Sequence, residues 1–241
     1  MEAVEEGKVK AEDLIAEIIR CLLILKVERE KELQGLLSQI EEKESIPLSA
    51  EAIITLIEQH LKCPKSSRLP VLTVAACYKA AQDKLGERVL PLEKHTAADE
   101  QTGALGDVSI ALLTDDKVIT AYEMKDKRIE QTDIDRALTK AITAEYHIDN
   151  YILISTEPID PVLKSYADSL YEQTGGIEFA LLDCLSFLRY FLHLFHRLRL
   201  EVLEEYQELV LNESESGVSH ELKKAFLALR QAAELPVDSV I

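Results

Sequence analysis

The sequence predicts an α/β fold in which a mixed central sheet, built in the order αβββαβ, is packed between helices and carries further helices at both ends. Three observations predict it. Apolar residues recur at three- and four-residue steps at both ends of the chain, short β-branched runs replace that period in the middle, and a four-turn helical pattern separates the last two strands of the middle section. A crossover helix of that length makes the strands on either side of it parallel neighbours with a right-handed connection.

The elements follow in order. Over residues 11–44, Leu14, Ile18, Leu22, Leu25, Leu33, Leu36, Leu37 and Ile40 keep a helical period, which predicts one long or two consecutive amphipathic helices with a structural role. After the break at Ser45-Ile46-Pro47, Ser49 can cap a helix that runs to about residue 61 and ends at Pro64. A further helix starts near Pro70, which is tolerated in a first turn, and runs to Gly86. Strands are expected over 88–92, 107–113 and 117–125, the last two joined by the turn Thr114-Asp115-Asp116. A helix over 132–146 leads to a strongly apolar strand, Tyr151-Ile152-Leu153-Ile154. Beyond Pro158 the pattern predicts a helix over 162–174, a strand over 178–182, one long helix over 184–211, an acidic solvent loop over 212–217 and a last helix over 220–233. These group into an N-terminal helical region (1–62), a core (63–183) and a C-terminal helical region packed on the core (184–241).

The composition sets limits on function. With 241 residues, 47% of them hydrophobic, and no low-complexity tract, the chain can bury a sizeable core. The apolar stretch 14–26 is interrupted by Glu17 and Arg20 and is too short for a membrane span, so no membrane association and a cytoplasmic location are expected. Cys21, Cys63, Cys77 and Cys184 lack CxxC spacing, which argues against zinc and disulfides and for buried thiols. The formal net charge of −17 opposes nucleic-acid binding, because phosphate contacts come from Lys and Arg. The acids crowd the first sixty positions and 201–215, however, whereas 62–94 is mildly basic and 189–199 holds no acid.

The chemistry-bearing residues lie on the two middle strands. Side chains alternate along 117–125, so Ile119, Ala121, Glu123 and Lys125 are expected on one face and Val118, Thr120, Tyr122 and Met124 on the other. Asp107, at the start of the preceding strand, joins Glu123 and Lys125 only if the hairpin register pairs it with one of them rather than with Met124, which demands an odd turn or a bulge. Two carboxylates, with the Met124 carbonyl as a further ligand, suit Mg²⁺, and Lys125 can orient a hydroxide or steady a phosphate. An Asp followed some way on by ExK recurs by chance in acidic proteins, and on the triplet alone a solvated strand end is the commoner outcome.

Context adds to the triplet. Gly106-Asp107, a hairpin carrying both halves of the triplet, and a crossover helix leading to a buried strand resemble the core of the PD-(D/E)xK nuclease superfamily. Asp107 then matches the metal-binding Asp, and Glu123 and Lys125 the ExK pair, with Gly106 in place of the name-giving proline. A closer resemblance is to the SacI family of type II restriction endonucleases. It is carried by SSRLPVLTVAACYKAAQDKLGERVLPLEKHTAADEQTGALGDVSI, by YEMKDKRIEQTDIDRA and by FLHLFHRLRLEVLEEYQELVL. That resemblance implies Mg²⁺-dependent cleavage of double-stranded DNA at a short palindromic site by a homodimer.

Further residues follow from position. The polar loop 95–106, with His95, Gln101 and Thr102, feeds the Asp107 strand and is a candidate DNA contact. Lys127 and Arg128, just beyond ExK, are candidate phosphate clamps, with a solvated strand end as the plain alternative. Arg189, His193, His196 and Arg197 form a cationic stripe that reads more readily as a solvated or interfacial face than as a phosphate contact, and Glu93 reads better as an exposed acid than as an extra ligand. The rival to the nuclease reading is a helical interaction module with a degenerate nuclease core, which the net charge favours.

Overall fold

In the computed structural model, which describes residues 10–41, 47–92, 105–144 and 147–234, the middle of the chain forms a five-stranded sheet in the spatial order β1-β2-β3-β4-β5. Its strands are β1 (Glu87–Val89), β2 (Val108–Leu112), β3 (Val118–Lys125), β4 (Asn150–Ser155) and β5 (Glu178–Asp183). β1, β2 and β3 run antiparallel as a meander, and β3, β4 and β5 are parallel. Eight α-helices are described, α1 (Ala11–Glu41), α2 (Ala50–Leu61), α3 (Leu69–Leu85), α4 (Gln131–Thr143), α5 (Pro161–Thr174), α6 (Cys184–Leu194), α7 (Arg199–Asn212) and α8 (His220–Ala233). The α/β class and the αβββαβ order are those the sequence predicts, and α4 and α5 are the crossovers that make the second half of the sheet parallel.

Local chemistry sets the element ends. Ser49, Asp160, Asp183 and Ser219 each accept a backbone N–H through the side chain at the start of a helix. Gly86 and Gly175 close α3 and α5 in the left-handed region, at φ 72° and 74°. β4 is apolar on both sides because both faces of the sheet are covered. One face packs Ala121, Tyr151, Leu153, Phe179 and Leu181 against α4 and α5. The other packs Val108, Ile110, Tyr122 and Ile154 against Val71 and Val74 of α3 and Cys184 of α6. A third cluster joins the N-terminal helices to α6, α7 and α8 through Ile53, Leu72, Leu188, Tyr206 and Phe226.

Several expectations need correction. The helix over 184–211 is two helices, because Phe195 leaves the helical region (φ −107°, ψ 46°) and a 3₁₀ turn at His196–Leu198 follows. The cationic stripe is broken with it. Arg189 and His193 turn to Glu51 on α2, at 3.4 and 3.0 Å, while Arg199 donates to the carbonyls of Leu48 and His196. The expected face alternation fails at the start of β3, where the register shifts between Ile110↔Thr120 and Ala111↔Val118. This bulge turns Val118 toward the Ala121 cluster and Ile119 toward the Tyr122 cluster. The structural role expected of the N-terminal helix holds for one half of α1 only, since Leu33, Leu36, Leu37 and Ile40 join the helical cluster while residues 11–27 are exposed throughout. Of the four thiols, Cys77 and Cys184 are buried, Cys63 is partly covered and Cys21 is exposed.

The helical cluster holds a polar pair with a consequence for stability. His60 is fully buried, its Nε2–H donates to the Leu222 carbonyl at 3.0 Å, and its Nδ1 accepts from the Tyr206 hydroxyl at 2.9 Å. Burial pushes its pKa down to about 4, against which the Leu222 bond acts only in part. Between pH 6.5 and 4 the unfolded chain therefore binds a proton that the folded chain refuses, so stability rises with pH across that window. Urea unfolding at pH 7 and pH 4 is expected to show a loss of about 3 kcal/mol at the lower pH that a His60→Gln variant lacks.

Candidate active site

The bulge meets the geometric demand set by the hairpin. With Val108 opposite Tyr122, the preceding residue, Asp107, falls level with Glu123 rather than with Met124. Its Oδ2 accepts the backbone N–H of Met124 at 2.7 Å, which brings the carboxylate against the peptide that joins Glu123 to Met124. Gly106 makes this approach feasible. A Cβ there would lie 2.5 Å from the Tyr122 carbonyl oxygen and 3.0 Å from its carbon, both backbone atoms, so any side chain, proline included, would force the ribbon apart beside Asp107. Gly106→Ala is expected to lower unfolding free energy by about 1–3 kcal/mol, as overpacking does, read from urea midpoints. In a cleavage assay its loss of activity should exceed what the unfolded fraction explains.

Glu123 is held by three side chains. Its Oε1 accepts from Lys125 Nζ at 2.8 Å, and its Oε2 accepts from Lys140 Nζ at 2.9 Å and lies 2.7 Å from the Tyr151 hydroxyl. That hydroxyl also lies 2.6 Å from the Leu105 carbonyl, so it ties the chain just ahead of Asp107 to the same point. Burial works to raise the Glu123 pKa, but the bonds from Lys125 and Tyr151 and the charge of Lys140 override it and hold the carboxyl at about 2. Lys125 lies between Glu123 and Asp133 of α4, whose Oδ1 is 3.4 Å from its Nζ. Burial lowers the Lys125 pKa, yet the bond to Glu123 and the charges of Glu123 and Asp133 leave it raised overall. Asp133 is itself fixed, buried at 2% exposure with Oδ2 accepting the Glu130 N–H in a reciprocal cap.

The donor set suits a hard divalent cation. Asp107 falls level with Glu123 across the ribbon, Glu123 is ionised at any ordinary pH, the Met124 carbonyl lies on the same strand, and neither sulfur nor imidazole is among them. Among the described residues no group of three or more His, Cys, Asp or Glu side chains is placed to hold a metal. A cation held by the two carboxylates would complete its shell with the Met124 carbonyl and water, as magnesium commonly does.

Sequence reasoning missed Tyr151, Lys140 and Asp133. The signals were there, as a hydroxyl-bearing ring ahead of the aliphatic run Ile152-Leu153-Ile154 and an Asp133, Ala137, Lys140 row on one face of α4, with Asp133 and Ala137 buried. Lys127 and Arg128 occupy the exposed turn after β3, where Arg128 is 3.5 Å from Asp160. His95, Gln101 and Thr102, with Glu93, lie outside the described residues. At the same end of the sheet, a cleft of about 390 Å³ is lined by Lys62, Lys65, Ser66, Ser67, Asp126 and Thr156. No helix among the described residues is long and apolar enough to cross a membrane.

Residues 45–156, from the approach to α2 to the end of β4, match the model of the SacI restriction endonuclease C-terminal domain. The match encloses Gly106, Asp107, Glu123, Lys125, Lys140 and Tyr151 and ends ahead of the stretch over 191–211. Among curated proteins none matches the chain. Through residues 45–156, which enclose both the antiparallel ribbon and the crossover helix behind it, the chain is similar to the SacI restriction endonuclease C-terminal domain.

Proposed function

We propose that the protein is a Mg²⁺-dependent endonuclease that hydrolyses phosphodiester bonds of double-stranded DNA at a short palindromic site, acting as a homodimer on the PD-(D/E)xK plan. The observation that carries this reading is the Asp107 carboxylate on the Met124 N–H, one peptide from Glu123, whose own carboxylate is paired with Lys125. Asp107, Glu123 and the Met124 carbonyl would hold the cation, which when bound supplies a Lewis acid for the phosphate and acidifies a water.

The chain's own residues account for the rest. Lys125 is held protonated, so its part is to place a positive charge beside the anionic phosphate and orient the attacking oxygen rather than to remove a proton. Lys140 and Tyr151 hold Glu123 in place, and Asp133 does the same for Lys125. Lys127 and Arg128 on the turn, with Lys62 and Lys65 in the adjacent cleft, give this end of an acidic molecule cations for the DNA backbone. His95, Gln101 and Thr102 are proposed to read or brace the DNA from the loop that leads to Asp107.

The test is plasmid DNA incubated at low salt with wild type, Asp107→Ala and Lys125→Ala, with and without Mg²⁺. Discrete fragments are expected from wild type with Mg²⁺ alone and from neither variant. Wild-type inactivity across metals and salt would sink the reading. It would leave the interaction module, a second reading favoured by the exposed apolar half of α1.

A further inference from the structure

α1 is 31 residues long, and the body of the protein covers only its C-terminal part. Between residues 14 and 27, nine large aliphatic side chains stand 36–59% exposed. The row 18, 22, 25, 29, 33, 36, 40 runs straight along the helix. Its last members, Leu33, Leu36 and Ile40, pack on the helical cluster, whereas Ile18, Leu22 and Leu25 continue the same face into solvent. The overhang, residues 11–27, extends about 25 Å at the helical rise.

We propose that this overhang is the dimer contact and that its occupant is the overhang of a second copy, laid antiparallel about a two-fold axis near Cys21. Two arguments select that partner. The first is area, since Leu14, Ile15, Ile18, Ile19, Leu22 and Leu25, which lie on the side of the helix that carries the row, expose together roughly 500 Å² on each copy, about 1,000 Å² for the pair, the least that a specific interface needs. The second is charge. The first part of the helix, 11–19, carries three acids, Glu12, Asp13 and Glu17, and no base, whereas 20–31 carries Arg20, Lys26, Arg29 and Lys31 against Glu28 and Glu30, a net +2. Antiparallel pairing about Cys21 sets the −3 segment of one copy against residues 23–31 of the other, net +1, and parallel pairing would set −3 against −3. The contact is isologous and closes on itself, so it ends at a dimer. It also gives two copies of a chain of net charge −17 a meeting surface where that charge is offset.

This deepens the homodimer part of the proposed function, but its test needs neither DNA nor metal, so the two can fail separately. Sedimentation of the full chain at micromolar concentration is expected to show a dimer. Ile18→Glu/Leu22→Glu is expected to raise the dissociation constant at least about a hundredfold, and Ile18→Ala/Leu22→Ala to weaken the dimer less. Because both positions are exposed in the protomer, circular dichroism and the unfolding transition of the dissociated variant should still show a folded chain. Spin labels on Cys21 in a Cys63→Ser background should lie within about 20 Å of each other. Labels on Ala11→Cys, made in a Cys21→Ser/Cys63→Ser background, should lie about 30 Å apart, ten residues of helical rise on each side of the axis. A wild-type monomer, a dimer that survives the glutamates, or short distances at both label positions would overturn the proposal.

Discussion

Glu123→Gln is expected to abolish cleavage, lowering the rate on plasmid DNA by at least about a thousandfold, and to change the site before any substrate arrives. Glutamine keeps the shape and can still accept hydrogen bonds, so the ribbon has no steric reason to open. What it removes is the single negative charge that Lys125 and Lys140 share. Lys125 then keeps Asp133 at 3.4 Å, and the bond to Glu123, the largest of the influences raising its pKa, is weakened. The metal-free variant is therefore expected to unfold more readily than wild type. Asp107→Asn gives a useful contrast, because Asp107 accepts a neutral backbone N–H that asparagine can also satisfy. It should lose cleavage to a similar degree with a smaller change in stability. Rates from single-turnover cleavage, beside urea midpoints without metal, separate the two. If Glu123→Gln kept more than about a tenth of the wild-type rate, the carboxylate would not be a ligand and the hydrolytic reading would fail.

The contrast also shows which parts of the site are legible in a sequence. Asp107, Glu123 and Lys125 are recognisable because strand alternation and one hairpin bring them together, a local matter of period and register. The bulge that completes the geometry is demanded by that arithmetic, but its position, at Val118 and Ile119, is not, and for that reason the face assignment fails for those two residues and holds from Ala121 onward. Lys140 and Tyr151 reach Glu123 only through the crossover, 17 and 28 residues along the chain, where no short-range pattern points.

Helix α1 and the α6–α7 break fail for a related reason. Apolar spacing shows that a face will be covered, but not by what. In α1 the same row is covered by the chain's own body at one end and open at the other. Between α6 and α7 the apolar period runs on through Phe195 and Leu198 with neither Gly nor Pro to mark the interruption. The net charge is silent on placement in the same way, because it is a sum. The cleft beside Asp126 holds two lysines on a chain whose acids are concentrated elsewhere.

Arg68→Met is expected to have the largest effect on stability, a loss of about 3–5 kcal/mol, because it leaves a carboxylate covered without its partner. Arg68 is 4% exposed at the start of α3, and its Nε donates to Glu213 Oε2 at 2.9 Å across the gap to the segment between α7 and α8. The sequence places that segment in a solvent loop, yet the Glu213 side chain is only 14% exposed. Burial works to raise the Glu213 pKa, and Arg68, with help from the Ser214 N–H, brings it below the ordinary carboxylate value. The contribution is thus present above the unfolded pKa and is lost as pH falls through the lower, folded one. Lys223 strengthens the same joint by donating to the carbonyls of Leu211 and Glu213 at 2.9 and 2.6 Å. The control is the double variant Arg68→Met/Glu213→Leu, which removes both charges and should recover most of the loss, since a covered ion pair costs nearly as much to desolvate as it returns. Urea unfolding of the four proteins of this cycle at pH 7 measures the coupling directly. A single variant within 1 kcal/mol of wild type would mean that Glu213 turns out to water when Arg68 is absent. The start of α3 and the α7–α8 segment would then be held together by apolar packing alone.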